Sequence, residues 1–319
     1  MTNTKTIRRI AIVGTGVIGA SWAALYLAKG FEVVATDPAP NADHTLRNFV
    51  QTAWPALKQL GLSPGASLAN LSFNADLAEA LVGVDFVQEN GPERLELKQR
   101  LYGQLDTLLP SDVIIASSSS GLPMSQIQLG ATLHPERCII GHPFNPPHLI
   151  PLVELVAGSK TSADAIERAD AFYTAIGRRT VRLNKEMPGH VANRLQGALA
   201  REVYYLVTEG VVSAADVDTA LSWGPGLRWG LMGNMMLNHL GGGRGGIEHF
   251  FEQFAGPMTR SWQSLGSPEL TPEVQRKLID SVHAEVGSRS IEELQAERDA
   301  LLLGLLELRG ARVKELERI

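Results

Sequence analysis

At 319 residues, with 44% hydrophobic and 20% charged residues, the chain has the composition of a two-domain globular protein that buries its core without covalent staples. A formal net charge of −5 without a long basic run argues against nucleic acid or an anionic membrane surface as partner, and no window reaches the roughly 18 apolar residues of a membrane span. The single cysteine, Cys138, excludes an intrachain disulfide and points to a reducing, cytoplasmic setting, and Met1 to Arg9 lack a signal-peptide apolar stretch.

The first predicted strand is the apolar run 7–13, which ends in Gly14. A helix over 17–29 and a second strand over 31–36 follow, closed by Asp37. Strand, helix and strand within about 30 residues form the smallest parallel crossover unit. A polar helix is predicted over 41–62. Further strands are predicted at 84–88, 112–116, 137–141, 152–156 and 179–183, with helices at 93–109 and 162–177. Such alternation argues an α/β fold, a Rossmann-type doubly wound sheet with its ligands at the carboxyl edge. Cys138, in Arg-Cys-Ile-Ile, reads as a buried strand residue rather than a reactive thiol.

The alternation stops near residue 187, and an all-helical domain is predicted beyond it. The expected domains are 1–187, cofactor-binding, and 188–319, for substrate and dimerisation. Pro188 suits the first turn of a helix, where its missing N–H costs nothing. Helices are predicted at 190–209, 214–222, 247–255, 272–286 and 290–317. Within the Gly-rich stretch 224–246, Gly241, Gly242, Gly243, Gly245 and Gly246 read as a flexible loop rather than a phosphate loop, because no strand precedes them and no Lys-Ser/Thr follows. Ile291, Leu294, Leu301, Leu302, Leu305 and Leu306 recur at helical spacing and give the last helix an apolar face.

Gly14-Thr-Gly16-Val17-Ile18-Gly19 fits G-x-G-x-x-G in the right context, with a strand before it, a helix after it and Asp37 at the end of the next strand. Gly14 permits the tight turn, Gly16 the approach of a pyrophosphate, and Gly19 close packing of helix on strand. The amides of the helix N-terminus then face the phosphates. A carboxylate at Asp37 binds ribose hydroxyls and repels a 2′-phosphate, so NAD is expected in preference to NADP.

Ser117 to Ser120 follow a predicted strand, His142 follows another, and Asn193 follows Met-Pro-Gly. Glu154 lies within the apolar run Pro-Leu-Val-Glu-Leu-Val, where a lone carboxylate costs several kcal/mol unless paired. His142, twelve residues earlier, is the obvious partner. A carboxylate on one imidazole nitrogen fixes the tautomer and raises the basicity of the other, as a base for hydride transfer from an alcohol requires. The competing reading is a structural ion pair. The chemistry calls for no metal.

Ser118-Ser-Ser120, Gly141-His-Pro-Phe-Asn-Pro146, Leu152-Val-Glu-Leu155 and Pro188-Gly-His-Val-Ala-Asn-Arg194 resemble the 3-hydroxyacyl-CoA dehydrogenase family, in order and at family spacing over the whole chain. The resemblance implies His142 as base, Glu154 as its orienting partner, and Ser120 and Asn193 as hydrogen-bonding partners of substrate and base. It implies Ser118 at the nicotinamide end, Glu93 and Lys98 near the cofactor, and a homodimer built on the helical domain. Asp37-Pro-Ala-Pro40, Ala53-Trp-Pro-Ala-Leu57, Pro92-Glu-Arg-Leu95, Gly226-Leu-Arg-Trp229, Pro268-Glu-Leu-Thr271 and Arg289-Ser-Ile-Glu-Glu-Leu294 are most similar to the branch that acts on L-carnitine. Ser119, His190 and Asn238 to Gly246 depart from the usual pattern.

A quaternary ammonium donates no hydrogen bond, so aromatic faces or carboxylates must hold it. Phe144, Trp223 and Trp229 are candidates for such a pocket, although core or interface packing explains them as well. Arg194 or Arg228 is the candidate for a substrate carboxylate. The alternatives are another short 3-hydroxy acid, of L-gulonate or 3-hydroxyacyl type, and an inactive nucleotide-binding protein, against which the intact Ser, His, Glu and Asn set argues.

Overall fold

In the computed structural model, which describes residues 6–316, the chain opens with strand β1 (Arg9–Val13), helix α1 (Val17–Ala28) and strand β2 (Glu32–Thr36). Helix α1 is apolar all round and buried from Gly19 onward, as expected of a helix covered on every side. Next come α2 (Ala42–Leu60), β3 (Leu71–Phe73), α3 (Leu77–Ala80), β4 (Phe86–Glu89), α4 (Leu95–Leu108) and β5 (Ile114–Ser117). Then follow α5 (Met124–Ile127), β6 (Cys138–Pro143), β7 (Leu152–Ala157), α6 (Ala163–Ala175) and β8 (Arg179–Leu183).

The eight strands form one sheet in the order β3-β2-β1-β4-β5-β6-β7-β8. Strands β1 to β6 are parallel, β7 runs antiparallel to β6, and β8 runs parallel to β7. Order reverses beside β1, which leaves a crevice at the carboxyl ends of β1 and β4 where such sheets bind ligands. Along β1 alternate residues serve opposite faces. Ile10 and Ile12 join a core with Trp22, Tyr26, Leu46, Trp54 and Phe172, while Ala11 and Val13 join Tyr102, Leu105, Ile115 and Ile140.

The chain divides into two compact units, one through Arg194 and one from Leu195. The cut falls within α7 (Ala192–Thr208), after which come α8 (Ala214–Trp223), α9 (Pro225–Trp229), α10 (Asn234–Gly241), α11 (Gly246–Trp262), α12 (Pro272–Val286) and α13 (Ile291–Leu316). Ser213 caps α8 and Thr271 caps α12, each through its hydroxyl. No helix among the described residues is long and apolar enough to cross a membrane.

Four local expectations need correction. Strand β3 was not anticipated: three residues, Leu-Ser-Phe, are too few to show a period, and pairing with β2 makes the strand. The Gly-rich stretch 224–246 holds α9 and α10, which the sequence does not announce, and Gly241 to Gly246, expected as a loop, close α10, form a 3₁₀ turn over Gly243–Gly245 and open α11. Pro188 lies in a turn rather than in a helix, since Gly189 and His190 have φ of 75° and 49° and α7 starts only at Ala192. His142 and Ser117 lie inside β6 and β5, not beyond them, because the ladder runs further than the apolar runs suggested.

Candidate active site

The turn from β1 into α1 is built for close approach. Gly14 has φ 88°, and a Cβ on it would meet the backbone of Asn90 at 2.8 Å. A Cβ on Gly19 would lie 1.9 Å from the Gly14 carbonyl oxygen. A Cβ on Gly16 would meet nothing within 4 Å, so the space above it is open. Gly16 caps α1 without any side-chain bond, which leaves amides of the first turn, at Val17 and Ile18, to an anion. At the end of β2, one oxygen of Asp37 accepts from the Thr15 amide at 2.7 Å and hydroxyl at 3.1 Å, and the other accepts from the Ala39 amide at 2.8 Å. The carboxylate is thereby fixed beside the glycine turn. Open amides at a helix start and an anchored carboxylate at the next strand end suit a dinucleotide.

Below this turn lies a polar cluster that hydropathy had not singled out. Glu89 and Lys98 form a buried ion pair, with Nζ 2.7 Å from Oε1 and 3.0 Å from Oε2. Lys98 also donates to the Gly91 carbonyl, and Glu89 accepts from Ser117 Oγ at 2.5 Å and from the Gly91 amide at 2.6 Å. The Lys98 ammonium is therefore committed within the protein. Gln88 accepts the hydroxyls of Tyr26 and Tyr173 on its carbonyl oxygen and donates to Ser118 Oγ at 2.9 Å. Ser118 in turn donates to Asn90 Oδ1 at 2.7 Å. Gln-Glu-Asn at the end of the apolar run before Gly91 is the signal that could have found this cluster, since buried polar groups need partners.

Glu93 closes the loop after β5. Its Oε1 accepts from Ser119 Oγ at 2.6 Å and from the amides of Gly121 and Leu122 at 2.7 and 3.1 Å. Partial burial pushes its pKa up, but these donors and the Lys98 charge outweigh it, and the carboxyl sits below its ordinary range. Ser120 stands half-buried in that loop and Asn193 half-buried in the first turn of α7, and neither side chain bonds another described residue.

His142 and Glu154 face each other across β6 and β7 as register partners, with Nδ1 2.9 Å from Oε2. Both are buried. The second oxygen, Oε1, accepts from the amides of Val191 and Ala192 at 2.8 and 3.0 Å. Burial alone would raise the Glu154 pKa, but the His142 hydrogen bond and the two amides bring it below the ordinary value. An ionised carboxylate only accepts, so Nδ1 carries the proton and Nε2 presents a lone pair. Against the His142 ring lies His190, with centroids 4.9 Å apart, a neighbour that sequence had marked only as a departure from pattern.

Phe144 is half-buried just past β6 in the first unit. Trp223 ends α8 and Trp229 ends α9 in the second unit, 77% and 41% exposed, and Arg228 is in α9. No group of three or more His, Cys, Asp and Glu side chains that could hold a metal occurs among the described residues.

The model of the 3-hydroxyacyl-CoA dehydrogenase NAD binding domain matches residues 9–187, and that of the 3-hydroxyacyl-CoA dehydrogenase C-terminal domain matches residues 189–268. The chain is 44% identical to an L-carnitine dehydrogenase of Streptomyces coelicolor over 97% of each chain, and 46% identical to one of Pseudomonas putida over 94% of each. Among solved structures, it is similar to 5-formyl-3-hydroxy-2-methylpyridine 4-carboxylic acid 5-dehydrogenase, an NAD-dependent dismutase, at TM-score 0.82 and 31% identity over 96% of this chain and 99% of that one. It also resembles (S)-3-hydroxybutyryl-CoA dehydrogenase from Ralstonia eutropha, at TM-score 0.62 and 25% identity over 82% and 96%. With both parts matched by its models and relatives aligned over nearly their full length, the chain belongs to the 3-hydroxyacyl-CoA dehydrogenase family of NAD-dependent enzymes.

Proposed function

We propose that this dehydrogenase oxidises the 3-hydroxyl of L-carnitine to give 3-dehydrocarnitine, with His142 as general base. The observation that carries the chemistry is the His142–Glu154 pair, a buried imidazole whose Nδ1–H is held by an ionised carboxylate. Nε2 takes the hydroxyl proton, and the charge that forms on the ring is balanced 2.9 Å away by Glu154. Ser120 and Asn193, without hydrogen-bond partners among the described residues, hold the substrate oxygens and the base in register. NAD supplies the hydride acceptor. The amides of Gly16, Val17, Ile18 and Gly19 hold its pyrophosphate with Gly14 shaping the turn, and Asp37 holds its adenosine ribose. Ser118 serves the nicotinamide end, Glu93 lies near the cofactor, and Lys98 acts through the loop it braces.

The substrate assignment rests on the L-carnitine dehydrogenases that align over nearly the whole chain. Phe144, Trp223 and Trp229 supply aromatic faces for the trimethylammonium group, and Arg194 or Arg228 holds the carboxylate. The part before residues 187–188 holds the cofactor, and the part after them supplies Asn193, Trp223, Arg228 and Trp229 to the substrate. The second part also carries the homodimer interface: α13 leaves Ile291 and Leu301 exposed and buries Leu303. A monomer by light scattering at micromolar concentration would remove the dimer. The test of substrate is NADH formation from L-carnitine, L-3-hydroxybutyrate and L-gulonate under identical conditions. L-Carnitine should give the highest kcat/KM. Better turnover of either other acid removes the cation pocket and leaves the dehydrogenase.

A further inference from the structure

At the turn into α7, His190 has φ 49°, a left-handed conformation uncommon for a residue with a side chain. Such backbone is strained and persists only where its surroundings hold it. Here three sets of contacts do so. Nε2 of His190 lies 3.0 Å from the Ser119 carbonyl oxygen. Its ring packs on His142 with the planes tilted by 53°. The two following amides, of Val191 and Ala192, both donate to Glu154. The strained turn thus ties the base, the carboxylate behind it and the serine loop to one residue, which is only 4% exposed.

The tautomer follows from the acceptor. A carbonyl only accepts, so Nε2 carries the proton and Nδ1 is a bare lone pair, buried with no partner. Burial disfavours a charge on His190; the Ser119 carbonyl opposes this, the His142 charge adds to it, and Glu154 and Glu93 oppose it, with a net lowering of its pKa. Glu186 shares with His190 the wall of a cavity of about 90 Å³ otherwise formed mainly by Pro123, Met124, Ile140, Val156 and Met187. Of the two imidazoles, only His142 has a carboxylate hydrogen-bonded to it.

We propose that His190 is a positioning residue of the proton-transfer site, a ring that anchors the Ser119–Ser120 segment and shields the flank of His142 from water, so that the proton taken from the substrate rests on His142 and not on His190. The inference rests on His142 being the base. Two variants separate its two parts. His190→Phe keeps a ring against His142 and loses the donor to Ser119. It should lower the kcat plateau about tenfold, roughly the loss of one buried hydrogen bond with its partner left unsatisfied, and leave the acid limb of the kcat/KM profile in place. His190→Gln places an amide donor near the former Nε2 and removes the ring. It should keep the plateau within about twofold and move the acid limb to higher pH, because water now stabilises the imidazolium of His142. NADH affinity and Tm verify that both variants are folded. Wild-type plateaus and profiles in both, or an equal loss in both, overturn the proposal. His142→Ala separates the two readings: wild-type turnover there removes the base and this inference together, whereas loss there with unaffected His190 variants removes this inference alone.

Discussion

His142 and Glu154 are opposite residues of an antiparallel strand pair, so the backbone ladder sets the distance between imidazole and carboxylate. Neither side chain depends on a loop to reach the other. The Glu154 carboxylate is braced in turn by two amides entering α7.

If His142 is the base, His142→Ala should lower turnover by about two to four orders of magnitude, the usual contribution of a positioned general base. Glu154→Gln should cut it by about two orders, because the amide neither holds the tautomer nor balances the imidazolium charge. Steady-state NADH formation from pH 6 to 10 measures both. Near wild-type turnover and an unchanged pH profile in His142→Ala would remove the assignment.

Asp37→Ala should weaken NAD more than NADP and so narrow the preference between them. It also strips Thr15 and Ala39 of their acceptor, so a modest fall in Tm should accompany the change. Initial rates with the two cofactors decide the matter: equal use of both by wild type would refute the ribose role.

The Glu89–Lys98 pair is buried on both sides. Lys98→Met should destabilise the protein by about 3–5 kcal/mol, since it strands a buried carboxylate. Lys98→Met combined with Glu89→Gln should recover part of that loss. Urea unfolding of the two variants tests this, and a Lys98→Met protein as stable as wild type would show that the pair is not required.

Stability should fall with acid in two stages. His190 is harder to protonate folded than unfolded, so its contribution is intact above the unfolded value of about 6.5 and is lost as pH falls from there towards the lower folded value. Glu154 and Glu93 are also depressed, so their contributions hold above the unfolded carboxylate range of about 4 and disappear as pH falls through their folded values. Calorimetry should find the first decline missing in His190→Phe and the second retained. A flat Tm between pH 7 and 5 in wild type would contradict the burial argument.

The glycine turn, Asp37 and the facing His142 and Glu154 were legible because each breaks a local rule visibly: glycines between strand and helix, a carboxylate in an apolar run. The network of Gln88, Glu89 and Lys98 was not, because its partners come from β4, α4 and β5, and only the sheet order brings them together. His190 looked like a mere departure from pattern, since nothing in a one-dimensional reading places residue 190 on the ring of residue 142. The helices hidden in 224–246 show the opposite difficulty, where glycine count obscured glycine position.

The strand register of His142 and Glu154 bears on how such an enzyme diversifies. A pair spaced by main-chain hydrogen bonds keeps its spacing through drift in distant side chains. Trp223, Arg228 and Trp229 lie outside that ladder, on short helices of the other unit. If those residues hold the substrate as proposed, exchanging them should change substrate choice while the ladder keeps the His142–Glu154 spacing, a separation that laboratory selection for other hydroxy acids can exploit.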